Sequence, residues 1–286
     1  GGLDSPDVGF DLALSGLRTT AQTAPLNAGM NRVPVRAYAD SAGAGTPIAE
    51  TFLDLWYNDG RETIVESAID QSTSWIRSNG PYRVRGNVVV GPDATLSIGP
   101  GTSVLFEEDA KLTIHGQLVA VGTKDEPVWF TRRPGEGTWD GIQFESTQQD
   151  NRIEHAILEY GVTNDGLIGL EGSRLTLDQV VLDNTDRRRI RSINSSLVVT
   201  NSEFGNIFEP DEAPTTDNQS EHIWGRGIPA DGEWIIQGNK FGTITGHNDA
   251  IDFDAPKNVG RYARILDNEF LGGGDDALDM TGDVFV

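Results

Sequence analysis

From Asn79 onward, short apolar runs recur with turn residues between them: YRV, VVV, TLSI, SVLF, KLTI, QLVAV and VWF. The runs are too short and too closely spaced for helices. Most of them alternate, as in Leu96-Ser97-Ile98 and Leu112-Thr113-Ile114, so one face of each short strand points into a core and the other into solvent. Val, Ile, Thr and Phe dominate these runs, which fits pleated, half-buried strands and disfavours a solenoid of helices.

Beyond residue 150 the runs line up as repeats: RIEHAIL, TLDQVVL, VVTNSEF, WIIQGNKF and RILDNEF. With Ile153, Leu177, Val199, Ile236 and Ile265 as equivalent positions, the steps are 24, 22, 37 and 29 residues. A repeat of that length with strand texture predicts a parallel β-solenoid, because one unit cannot bury its apolar face until neighbours stack on it. The long step predicts an insertion over about 208–233, a stretch rich in Pro, Asp and Gly. A β-sandwich is the rival architecture. It offers no reason for an Asn-then-Phe signature (Asn201-Phe204, Asn239-Phe241, Asn268-Phe270) to return at coil-length steps. In a solenoid these Phe side chains stack inside, and the Asn side chains cap backbone groups at a bend.

The amino-terminal part is less regular. Residues 1–50 lack a clear period and read as a leader or irregular cap, although VGFDLAL and VPVRAY stand out as short apolar pieces. Between Phe52 and Arg77 an Asn-Asp-Gly turn separates two apolar runs, favouring strands, with a helix over 62–76 as the competing expectation. The β-helix is therefore expected over 51–286, and the unfinished apolar run at the end suggests a chain truncated from a longer one.

Composition narrows the function classes. The formal net charge is −22, so the surface repels phosphates and anionic headgroups, and nucleic acid is excluded as a partner. Membrane insertion is not expected, since no stretch approaches a spanning length. Glycine makes up 34 of 286 residues, against a usual share of about 7%, in keeping with many tight turns. There is no cysteine, which removes disulfides, thiolate metal sites and thiol nucleophiles.

The run GPYRVRGNVVVGPDATLSIGPGTSVLFEEDAKLTIHGQLVAVGTKDEPVWFTRR, followed by GTWDGIQFES, resembles the opening coils of bacterial secreted right-handed parallel β-helix repeat proteins. It shares their GPY, V-x-P-x-A-x-L-x-I, G-x-L-x-A-x-G, P-x-x-F-T and W-x-G-I-x-F steps. The later RRRIRSINSSLVVTNSEF and GHNDAIDFD…GGGDDALDM segments resemble the same group, so the likeness covers about 79–286. It implies an all-β, right-handed parallel β-helix that is secreted or displayed at the cell surface, and it implies no shared reaction.

The candidate chemistry is acidic. HNDAIDFD and GGGDDALDM repeat at a step of 27, pairing Asp249 with Asp276 and Asp252 with Asp279. Outward-facing carboxylates on adjacent strands, about 4.8 Å apart, repel unless a proton, a basic group or a cation intervenes. Calcium suits such an all-oxygen cluster, with Asp249, Asp252, Asp267, Asp275, Asp276 and Asp279 as candidate ligands. Turn formation by Asn and Asp beside Gly is the simpler role for the same residues. Asp249, Asp252, Asp276 and Asp279 are also the catalytic candidates. The ILDNEF…GGGDDALDM stretch resembles the calcium-site region of pectate lyases, whose acidic stations would fall on Asp267, Asp275 and Asp279. It departs from that pattern at Asn268 and Asp276, and the arginine motif of those enzymes does not follow.

Arg187, Arg188, Arg189 and Arg191 form the one dense basic patch. Arg187, Arg189 and Arg191 are candidates for a sugar carboxylate or sulfate, and neutralisation of nearby acids is the alternative. Trp224 and Trp234 are candidates for stacking on sugar rings, with burial as the alternative. His222 and His247 lie about one coil apart, but no third zinc ligand accompanies them.

Three function classes follow: a non-catalytic extracellular scaffold or glycan-binding, adhesive surface, with calcium as the one cofactor expected; a lyase or hydrolase acting on acidic polysaccharide through the 249–279 face; and a structural protein that stacks end to end.

Overall fold

A computed structural model describes residues 25–40, 43–162, 165–208, 220–246 and 248–286. Among these residues the chain winds as a right-handed parallel β-helix of three sheets. Sheet I runs from Thr73–Trp75 to Val284–Phe285, sheet II from Thr63–Val65 to Glu269–Phe270, and sheet III from Asn87–Val90 to Leu278–Thr281. The chain visits I, II and III in turn, and every strand pairs in parallel with its counterpart one coil away.

The five positions equated from sequence stand in one register. Ile153 pairs with Leu177, Leu177 with Val199, Val199 with Ile236 and Ile236 with Ile265 along sheet I. An aliphatic column fills the inner face of sheet III, from Val88 through Leu112, Ile142, Ile168, Ile190 and Ile223 to Ile251. All seven are fully buried, and each such side chain contributes about 1.5–3 kcal/mol of transfer free energy. Sheet II supplies Phe204, Phe241 and Phe270, stacked at centroid separations of 4.5 and 4.9 Å.

The bend after sheet I shows why Asn recurs there. Asn239 Oδ1 accepts the Ser202 N–H at 2.9 Å, while the Asn239 N–H and Nδ2 donate to Asn268 Oδ1 at 2.9 and 3.0 Å. The ladder satisfies backbone groups that no strand partner reaches. Its member in the preceding coil is Ser202. Asn201, equated with Asn239 from sequence, sits one residue earlier in a left-handed conformation (φ 49°), as do Gln179, Gly238 and Asp267 in the same turn of neighbouring coils.

Two expectations are corrected here. Residues 1–24 of the expected leader, and 209–219 of the expected insertion, lie outside the described residues. The leader nevertheless contributes an ordered strand, Gly29–Ala37, antiparallel to Ala49–Tyr57, so a division at residue 50 falls inside a ribbon. The ribbon packs on the outer face of sheet II: the Met30 N–H donates to Ser103 Oγ at 2.8 Å and the Arg32 guanidinium lies 5.6 Å from the Trp129 ring. Outward-facing Trp129 is buried as a result. The competing helix over 62–76 is not formed; strands Thr63–Val65 and Thr73–Trp75 occupy that stretch.

The second correction concerns 208–233, where Ile223–Arg226 is a regular strand of sheet III. Its pattern was hard to see because the second inward position is Gly225, where a Cβ would lie 2.1 Å from the Ser192 carbonyl oxygen. The same inward slot holds Ser192, Gly225 and Phe253 on successive coils. Trp234, in the following strand, is fully buried and stacks on Phe253 at 4.0 Å.

Candidate functional site

The outward face of sheet III brings four of the candidate residues into one column. Arg191, Trp224, Asp252 and Asp279 stand in register on four successive strands. Each strand places them outward because its aliphatic neighbours, Ile190, Ile223, Ile251 and Leu278, point into the core.

Trp224 is only partly buried. The Arg188 guanidinium lies 4.7 Å from its ring centroid and that of Arg191 lies 5.8 Å away. Arg188 is itself 5% exposed and donates through Nε and Nη2 to Glu221 Oε2 at 2.9 and 2.7 Å; Glu221 is 4% exposed. Arg191 pairs with Asp165 at 3.5 Å. The indole thus has cations beside it from the coil behind and stands in register with Asp252 on the coil ahead.

Asp252 is pushed up to about 6, first by burial and then by the charges of Glu221, Asp279, Asp249 and Asp254. Asp249 is also raised, mainly by burial, although its Oδ1 accepts the Asp276 N–H at 2.9 Å. Asn248 is buried, with Oδ1 accepting the Ser220 N–H at 3.1 Å and its carbonyl accepting the Asp275 N–H at 3.3 Å. Asn248 and Asp249 therefore hold turns of adjacent coils together. Asp275, Asp276 and Asp279 are exposed.

Asp267 is not part of this cluster. It follows the sheet I strand Ala263–Leu266 in the left-handed column, on a different face from Asp252 and Asp279. Among the described residues, no group of three or more His, Cys, Asp or Glu is arranged to hold a metal ion.

The arginine run does not form one patch. Arg187 is exposed, Arg188 lies against Trp224 and Arg191 belongs to the outward column. Arg189, expected to bind ligand, is fully buried and donates to the carbonyls of Leu182 and Asn206 at 3.1 and 3.0 Å. Its Nη1 also lies 3.2 Å from His222 Nδ1, and burial lowers it to about 9. His222 is likewise interior, with Nε2 2.9 Å from the Gly242 carbonyl oxygen. Nε2 therefore carries the proton and Nδ1 accepts from Arg189. His247 lies outside the described residues. Trp234, the other expected stacking residue, is fully buried in the core, where it stacks on Phe253.

Glu221 and the role of Arg188 were missed from sequence. The signal was present: Arg188 and Glu221 are 33 residues apart, the same separation as the paired Arg191 and Trp224. The long step across 208–233 concealed that register.

No protein-family model, no curated protein and no solved structure matches this chain. Among the described residues, no helix is long and apolar enough to cross a membrane.

Proposed function

We propose that the chain is a rigid extracellular β-helix scaffold, of the secreted bacterial kind its opening coils resemble, presenting a glycan-binding surface on sheet III. The observation that carries this reading is the placement of Trp224. Of six tryptophans, Trp75, Trp129, Trp139 and Trp234 are buried, and only Trp56 and Trp224 are partly exposed. Trp224 stands between a guanidinium donor, Arg191, and carboxylate acceptors, Asp252 and Asp279, along the solenoid axis. An aromatic platform flanked by such groups suits a sugar ring and its hydroxyls. Retention on immobilised polysaccharides tests it: Trp224→Ala weakens retention, whereas unchanged retention returns Trp224 to a packing role.

Calcium belongs to the same proposal, as a cation bridging Asp252 and Asp279. Binding only the folded state, it raises the thermal midpoint of the wild type and leaves the Asp252→Asn/Asp279→Asn double variant unmoved. An equal response of both proteins removes the site.

A second reading rests on Asp252, whose carboxyl near pH 6 suits a general acid. Its partner Asp279 stands in register on the next strand, as the second carboxyl that a glycosidase requires. Product release from uronate polymers that is lost in Asp252→Asn supports a hydrolase; an inert wild type ends that reading. End-to-end self-association is a separate proposal. A stack of parallel coils is compatible with it, and light scattering at micromolar concentration distinguishes stacks from monomers.

A further inference from the structure

A second surface lies where the strands of sheet I end. Glu154, Asp178, Thr200 and Gln237 are the outward residues at the ends of four successive strands, in register. The turn residues that follow on the later coils, Asn201, Gly238 and Asp267, are all left-handed. Together with Thr176 they line an open trough of about 680 Å³. From the coil of Glu154 to that of Asp267 there are four strand spacings, roughly 19 Å at about 4.8 Å each.

Gly238 lines this trough without a side chain. Its neighbours in the left-handed column, Asn201 and Asp267, both carry side chains, and Gly238 leaves a gap between them. A Cβ there would come within 3.1 Å of Asn201 Oδ1. The polar groups around the gap are held in place. Asp178 Oδ1 accepts from Thr200 Oγ1 at 2.6 Å and from Asn201 Nδ2 at 2.9 Å, and Asp267 Oδ2 faces Gln237 Nε2 at 3.5 Å.

The lining chooses among ligand classes. It contains no aromatic or large aliphatic side chain, so an apolar ligand gains nothing there. Of its three carboxylates, Glu154 is paired with Arg152 at 2.6 Å, while no Lys or Arg of the lining accompanies Asp178 and Asp267, so a polyanion is disfavoured along the later coils. Its acids are engaged by protein donors, Asp178 by Thr200 and Asn201 and Asp267 by Gln237. What remains is a neutral, hydroxyl-rich chain that donates hydroxyls to the carboxylates and accepts from the amides.

We propose that this trough binds a segment of neutral oligosaccharide lying parallel to the solenoid axis, at a site distinct from Trp224. The inference does not depend on the sheet III reading. Calorimetric titration of the whole chain with neutral xylan, glucan and mannan oligosaccharides tests it, using Gly238→Asn as the filling variant. Asn adopts the left-handed conformation readily, as Asn201 does one coil earlier, so the fold is retained while the gap is closed. At least one oligosaccharide binds the wild type and Trp224→Ala equally, and Gly238→Asn weakens it tenfold or more with an unchanged melting midpoint. Should Gly238→Asn fail to fold, Thr176→Arg places a guanidinium in the trough from an outward strand position and gives the same loss. Equal binding by wild type and filled variant overturns the proposal, as does binding of calcium or acidic polymers alone. Loss of retention in Trp224→Ala with normal titration at the trough separates the two surfaces.

Discussion

Arg188 and Glu221 form an ion pair at 2.7 Å that is almost wholly withdrawn from solvent and joins two successive coils against the ring of Trp224. Such pairs add little net stability, because desolvation offsets the attraction, yet leaving one member alone is costly. Arg188→Met is expected to destabilise by about 3–5 kcal/mol, and the Arg188→Met/Glu221→Leu double variant to recover most of that loss. A denaturation double-mutant cycle measures both. If the double variant is stable but loses polysaccharide retention, the pair serves to orient Trp224.

Asp252 makes acid conditions locally favourable. Its folded carboxyl titrates near 6, above the ordinary value of about 3.9, so the native state holds the proton more tightly than the unfolded chain. Its unfavourable contribution is present above pH 6 and is relieved as pH falls from 6 toward 4. Asp252→Asn is therefore expected to be more stable than wild type at pH 7 and to lose that advantage by pH 4. Paired denaturation curves at the two pH values read this directly.

His222 acts in the opposite direction. Burial, and then the neighbouring charge of Arg189, lower its folded pKa to about 3, below the ordinary value of about 6.5. Between those limits the unfolded chain takes up the proton and the native state does not, so stability falls as pH drops from 6.5 toward 3. Replacement by Gln, which keeps a donor for the Gly242 carbonyl, removes this component. A pH series of wild type against His222→Gln shows a steeper acid loss for wild type.

The two tryptophans once paired as stacking candidates should separate in a stability assay. Trp234→Ala empties a site stacked on Phe253 and is expected to cost about 3–5 kcal/mol. Trp224→Ala removes a partly exposed ring and costs far less, while weakening glycan retention. Urea unfolding of the two variants, beside their retention, assigns each ring to core or surface.

Much of this fold was legible in the chain. Alternation in Leu96-Ser97-Ile98 marked strands, and the returning positions Ile153, Leu177, Val199, Ile236 and Ile265 marked coils, because inward slots tolerate only apolar side chains that stack in register. Asp252 beside Asp279 followed from the same logic. The outward faces obey no such rule, since solvent accepts almost any residue, and there the reading failed. Asp267 was grouped with residues on another face, and Glu221 was overlooked behind an irregular step. Where small residues fill inward slots, as at Ser192 and Gly225, alternation falls silent, and only the packed structure places Trp234 inside. The sequence by itself determined the winding and the coil register, through the periodicity of burial. Tertiary structure alone decided which polar side chains meet, because contacts between coils depend on turn lengths and on which volumes the core leaves unfilled.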